Sequence, residues 1–218
     1  IKLFKGNKRR EELKHYSGAM FYYGGEWYWG VDRLYPLEKR LSSLGVDRTP
    51  EQPLIIERPA IESGPLKDSG KLTLEVYPSL RSPYSAISFD RAIKLAKETE
   101  VNVVVRPVLP MVMRGVPATI EKGMYIFMDA AREALAADVP YGNFRDPIGE
   151  PVRQAYSLYP WAKQQGKGVE FISSFLSCAF ALGVNTNKAT GLKAVVELAG
   201  LDWDKAKEQL GKPGWEAE

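Results

Sequence analysis

The chain has 218 residues, 44% of them hydrophobic, with 30 basic against 27 acidic side chains and a formal net charge of +3. That is enough for one large or two small domains with a sizeable core, and the near balance of charge leaves no electrostatic footprint for nucleic acid or an anionic membrane. One cysteine, Cys178, and one histidine, His15, exclude an internal disulfide and a Cys/His zinc cluster, so no metal is expected. The longest apolar stretch, Val101 to Met113, is broken by Arg106 and two prolines, short of the roughly 20 residues of a membrane span. No charged-then-apolar leader opens the sequence. A soluble, cytoplasmic protein is expected.

Residues 1–45 begin with a basic run, Lys8-Arg9-Arg10-Glu11-Glu12, expected to be helical. Two aromatic stretches follow, Met20-Phe21-Tyr22-Tyr23 and Glu26-Trp27-Tyr28-Trp29, around Gly24-Gly25. That spacing predicts a β-hairpin. Gly30 closes the second strand and Asp32 stands where an N-cap would start a helix over Arg33 to Leu44, with Leu34, Leu37 and Leu41 at helical spacing. Residues 46–70 carry Pro50, Pro53, Pro59 and Pro65 with Gly64 and Gly70, the composition of a linker.

In residues 71–218, Leu72, Leu74 and Val76 alternate with Thr73 and Glu75 as in a strand. Ser82 then reads as N-cap and Pro83 as first-turn proline of a helix whose apolar face holds Ala86, Phe89, Ala92, Ile93 and Ala96. Val101, Val103, Val104 and Val105 form a second β-branched run, so a parallel pair with a right-handed crossover is expected. Helical periodicity dominates Glu121 to Ala137, Gly149 to Gly166, Val169 to Leu182 and Thr190 to Leu210. Residues 118–192 read as a helical insertion. Gly183-Val184-Asn185 and Ala199-Gly200-Leu201-Asp202 are helix stops, the second with Asp202 ready to cap Trp203 onward.

Ser82-Pro83-Tyr84-Ser85 after a strand, Val105-Arg106-Pro107 ending the next, and Tyr125, Asp129 and Arg132 in the following helix resemble one family in combination. It is the DsbA-like thioredoxin superfamily, in its branch of kappa-class glutathione transferases and 2-hydroxychromene-2-carboxylate isomerases. The resemblance runs from about Lys71 through Gln209 and implies an α/β thioredoxin-like fold. The closing hairpin and helix of that fold are matched at the front of the chain, over Ala19 to Leu44, where Trp29-Gly30-Val31-Asp32-Arg33-Leu34 is similar to the family's last turn. Three arrangements account for that order: a fragment of a tandem protein, a permuted domain, or a hairpin exchanged between partners. The family's cis-proline would fall near Gly18, where there is none.

A serine at a helix N-terminus can stabilise an anion placed beside its hydroxyl, because the backbone N–H groups and the helix dipole favour negative charge there. The resemblance implies glutathione as cofactor, with Ser82 hydrogen-bonding its sulfur, and a small electrophilic substrate that the sulfur isomerises or conjugates. It implies Asp32 at the γ-glutamyl end, Arg106 and Pro107 at the cleft edge, with Arg106 orienting a substrate carboxylate, and a homodimer. Tyr84 is a further candidate donor. Against these stand plain readings: Ser82 and Asp32 as helix caps, Arg106 as a surface arginine, Tyr84 as a packing residue. A thioredoxin-fold binding module without chemistry is the alternative function. Dithiol oxidoreduction is excluded, because the turn has no cysteine. His15 reads as incidental, Cys178 as an inert buried thiol, Trp27 to Trp29 as sheet packing, and Met111 to Pro117 as a lid or a connection.

Overall fold

The computed structural model describes residues 2–217. In chain order the elements are α1 (Lys2–Glu12), β1 (Met20–Tyr23), β2 (Glu26–Trp29), α2 (Leu34–Ser43), β3 (Thr73–Val76), α3 (Pro83–Thr99), β4 (Asn102–Val105), α4 (Ile120–Ala136), α5 (Glu150–Gln164), α6 (Gly168–Phe180), α7 (Ala189–Leu198) and α8 (Trp203–Lys207). They divide into two compact units. The first holds the chain through Glu62 with Thr119–Tyr125; the second holds Ser63–Ala118 and the chain from Ile126 onward.

In the first unit β1 and β2 form the antiparallel hairpin, registered Met20 to Trp29 and Tyr23 to Glu26. Gly24 and Gly25 both have positive φ, 55° and 85°, as a two-residue turn matched to strand twist requires. Arg40 on α2 fixes that turn. Its guanidinium donates to the carbonyls of Tyr23 and Gly24 and to the hydroxyl of Tyr28, and pairs with Glu26 at 3.0 Å. Tyr28 is buried beneath it. Asp32 is not a cap: it lies in a 3-10 turn over Val31–Arg33, the cap position of α2 falls to Arg33, and no side chain caps it. The carboxylate instead accepts from Arg33 at 3.1 Å. The segment after α2 forms no helix or strand, yet Glu38 of α2 anchors it, accepting the N–H groups of Ile55 and Ile56 at 2.7 Å each.

In the second unit β3 and β4 are parallel, with Val76 opposite Val105, and α3 is the crossover between them. Thr73 and Glu75 are exposed while Leu74 and Val76 turn inward; Leu72 lies before the strand and is exposed. Phe89 and Ala96 of the expected apolar face of α3 are buried, and Ile87, outside that face, is buried as well. Helix α6 is the centre of the core. Phe171, Ile172, Phe175, Leu176, Cys178, Ala179 and Phe180 are all buried along it, and α3, α5 and α7 pack around it. A helix apolar on nearly every side is one that must be enclosed.

The helix stops lie where the sequence places them. Gly183 and Gly200 have φ of 67° and 74°, and Asp202 caps α8 by accepting from the N–H groups of Asp204 and Lys205. Gly191 is buried in α7, and a Cβ there would run into the carbonyl of Asn185. Backbone cannot swing aside as a flexible side chain can. Gly191→Ala is therefore expected to destabilise the protein by ~1–3 kcal/mol despite its better helix propensity, read as a lower midpoint in urea unfolding.

Candidate functional site

The turn from Ser79 to Ser85 leads from β3 into α3, and its geometry follows from local sequence. Ser82 adopts an extended conformation and accepts the N–H of Ser85 on its Oγ at 3.2 Å, with Pro83 at the first turn, where its missing N–H costs nothing. The Ser82 N–H donates to the Ser79 carbonyl at 2.9 Å, and the Ser79 N–H donates to Ser85 Oγ at 3.0 Å. Three serines thus satisfy one another's backbone.

Tertiary contacts lock the same seven residues from three sides. Arg81 makes a two-pronged pair with Asp146, Nε to Oδ1 at 2.8 Å and Nη2 to Oδ2 at 2.7 Å. The Leu80 N–H donates to the Tyr156 hydroxyl at 3.3 Å, and that hydroxyl donates to the Val108 carbonyl at 2.5 Å. Tyr84 donates its hydroxyl to Oδ2 of Asp129 at 2.7 Å, with Arg132 3.4 Å from the other oxygen. Asp129 is only 2% exposed, so this bond is made away from competing water. Ser82 and Ser85 each accept one backbone N–H on Oγ, and neither hydroxyl proton has an acceptor among the described residues; of the two, Ser82 is the half-buried cap at the helix start.

The remaining candidates are placed as follows. Arg106 donates through Nε to Glu75 at 2.6 Å, and the other oxygen of Glu75 accepts the Tyr77 hydroxyl at 2.7 Å. Both bonds hold the Glu75 carboxyl below the usual carboxylate range. Asp32 belongs to the first unit and Ser82 to the second. Pro107 lines a cavity of about 230 Å³ with Val108, Leu109, Tyr156, Tyr159 and Trp215 and with two charged residues, Arg114 and Glu216. Ser82, Tyr84 and Arg106 do not line it.

That cavity lies beyond the carboxyl end of β4, where open parallel sheets present their ligand crevices. The hydroxyls of its two tyrosines are already bonded: Tyr159 donates to the Val105 carbonyl at 3.1 Å and Tyr156 to the Val108 carbonyl, and burial pushes the Tyr156 hydroxyl up to about 12. Arg114 is exposed at its edge with no hydrogen-bond or ion-pair partner among the described residues. Arg114 stands in the stretch read as lid or connection, which forms a 3-10 turn over Met111–Arg114 with Met113 against the core. Tyr156 carries no local signal, because its hydroxyl joins residues 76 positions apart in sequence. Cys178 is an inert thiol, buried and pushed up to about 11 by desolvation.

No protein-family model matches the chain, and no curated protein matches it. Among solved structures, 2-hydroxychromene-2-carboxylate isomerase in its selenomethionine form aligns with a TM-score of 0.55 at 15% identity, covering 67% of this chain and 74% of that one. The chain has a DsbA-like thioredoxin fold. A probable DsbA oxidoreductase from Streptomyces coelicolor aligns at 18% identity and a TM-score of 0.49, covering 67% of this chain and 70% of that one. In this DsbA-like thioredoxin fold the turn that opens α3 carries Ser82, Pro83, Tyr84 and Ser85 and no thiol.

Tyr84 is a support of this turn rather than a free donor, since its proton is held by Asp129. Tyr84→Phe leaves a buried carboxylate short of one hydrogen bond and is expected to lower stability by ~1.5–3 kcal/mol in chemical unfolding, the usual range for a hydrogen bond to a charged group.

Proposed function

We propose that the Ser82 turn binds glutathione as its thiolate, and that the protein is a glutathione-dependent isomerase or transferase acting on a compact electrophile. The observation that carries this reading is the uncommitted proton of Ser82, the cap residue at the head of a 17-residue helix, in a turn that Arg81 and Tyr84 hold in place through Asp146 and Asp129. Capping and thiolate stabilisation are compatible. The cap uses an oxygen lone pair, and the sulfur would use the proton.

Magnitudes show why the hydroxyl matters. A cysteine-type thiol titrates near 8.5, so holding it as thiolate at neutral pH requires a depression of about 1.5 units, or ~2 kcal/mol. A helix terminus at a partly exposed site supplies ~0.3–1 kcal/mol. A charge-assisted hydrogen bond from Ser82 adds ~1.5–3 kcal/mol, which closes the gap.

Bound there, glutathione would supply a nucleophilic sulfur able to add to an electrophilic carbon, leaving again in isomerisation or staying attached in transfer. The protein's own part would be that of Ser82, whose hydroxyl proton would hold the sulfur as thiolate at the start of α3. The Pro107 cavity suits the electrophile, with aromatic walls and the unpaired Arg114 at its edge. At about 230 Å³ it is smaller than the roughly 300–1,000 Å³ of drug-sized sites, which favours a compact planar molecule. Arg106 is tied to Glu75 and Asp32 to Arg33, and these commitments favour the second reading, a thioredoxin-fold binding module without chemistry.

Titration calorimetry with glutathione separates the two readings. Binding is expected for the native protein, and absence of heat at millimolar glutathione overturns the enzyme reading. Ser82→Ala is expected to lose binding and ~1 kcal/mol of stability with the cap. Ser82→Asp keeps a capping oxygen but offers no proton and repels a thiolate, so stability is expected to hold within ~0.5 kcal/mol while binding is lost. Unchanged affinity in Ser82→Asp would reduce Ser82 to a cap.

A further inference from the structure

His15, the one histidine of the chain, is 5% exposed in the connection between α1 and β1. Its Nδ1 accepts the Ser17 N–H at 3.0 Å, which puts the proton of the neutral ring on Nε2. Nε2 is buried and has no partner among the described residues. Around the imidazole stand Tyr16, stacked with centroids 4.7 Å apart, Trp27 of β2 at 4.6 Å, and Tyr125 of α4 meeting it edge-on at 5.1 Å. The ring therefore joins three pieces of the first unit: the connection, the hairpin and the first turns of α4.

The same pieces are tied around it. Trp27 Nε1 donates to the Leu13 carbonyl at 3.1 Å, the Trp29 N–H donates to the Tyr125 hydroxyl at 3.2 Å, and the His15 N–H donates to the Arg10 carbonyl at 3.1 Å. Lys14 and Ala19 on either side have φ of 57° and 54°, a left-handed conformation that residues other than glycine seldom adopt. This connection would relax if its central ring let go.

We infer that His15 is an acid-sensitive clasp: as the neutral ring it holds the connection and hairpin against α4, and on protonation it leaves the aromatic cage and frees them. Protonation would place the new proton on Nδ1, which would have to surrender the Ser17 N–H and turn instead to the Ser17 carbonyl 3.3 Å away, while Nε2–H stays without an acceptor and comes to carry part of the charge. The charged groups that face it do not compensate. They are Arg10 from α1 and, over the far ring of Tyr16, Lys122 from α4; the other titratable groups are the hydroxyls of Tyr16 and Tyr125. β1 has no charged residue, and Glu26 of β2 is taken by Arg40. Burial, the larger effect, and Arg10 lower the affinity of the ring for a proton, opposed by the Ser17 bond. A depressed pKa in the folded state means stability that is complete above the unfolded value near 6.5 and is lost as the pH falls below it.

A single histidine makes the test unambiguous. Carbon and nitrogen NMR of the full chain is expected to show the Nε2–H tautomer and a midpoint below 6.5. Hydrogen-exchange protection of residues 13–29 and 119–125 is expected to fall as the pH drops below about 6.5, by about tenfold per pH unit down to the folded-state midpoint, with the second unit as internal control. His15→Phe, which keeps a ring and cannot protonate, should abolish that fall. A midpoint at or above 6.5, or protection that falls equally in His15→Phe, overturns the inference. The native titration decides it alone if the variant does not fold.

Discussion

The bond between Tyr84 and Asp129 is the contact on which the candidate site rests. A tyrosine two residues past the cap of α3 reaches a carboxylate buried in α4 and so fixes the first turn of α3 against the helical insertion. Arg81 and Leu80 do the same from the other side, through Asp146 and Tyr156. Groups whose hydrogen bonds are complete cannot adjust to a ligand without losing those bonds. The effect is to leave Ser82 as a fixed donor at a positive helix end, a preorganised arrangement that suits charge stabilisation better than a flexible one.

The second unit is built to make that possible. Helix α6 is buried along nearly its whole length and organises α3, α5 and α7 around it. Because α5 is held there, Tyr156 can span the segments that follow β3 and β4 with one hydroxyl. The same packing leaves the Pro107 cavity lined by aromatic faces, with Arg114 at its edge. Core packing and site geometry are in this sense one problem. The first unit follows a different logic: Arg40 and His15 are the polar groups around which its aromatic residues gather.

Some of this was legible without coordinates and some was not. The hairpin, the capped α3, the parallel pair and the stops at Gly183 and Gly200 are local patterns, and local patterns survive into the fold because turn chemistry and side-chain period act within a few residues. Asp32 went the other way: the residue type and position were right for a cap, but a 3-10 turn took the start of α2 and Arg33 took the carboxylate. Arg106 was readable as a residue orienting a substrate carboxylate or as a surface arginine, and register then placed Glu75 beside it. His15, lone and unremarkable in sequence, sits at the centre of an aromatic cage.

The sequence by itself determined the elements and the chemical character of the turn, since a Ser-Pro-Tyr-Ser start without cysteine excludes dithiol chemistry wherever it folds. It also determined that neither disulfide nor Cys/His zinc centre holds the chain together. Only the tertiary structure decided which of the polar side chains remain available. Tyr84, Arg81, Arg106 and Asp32 are each committed to a partner, and Ser82 keeps its proton. The reason is physical: whether a donor is free depends on acceptors brought to it across tens of residues by packing, and no periodicity in the chain encodes that distance.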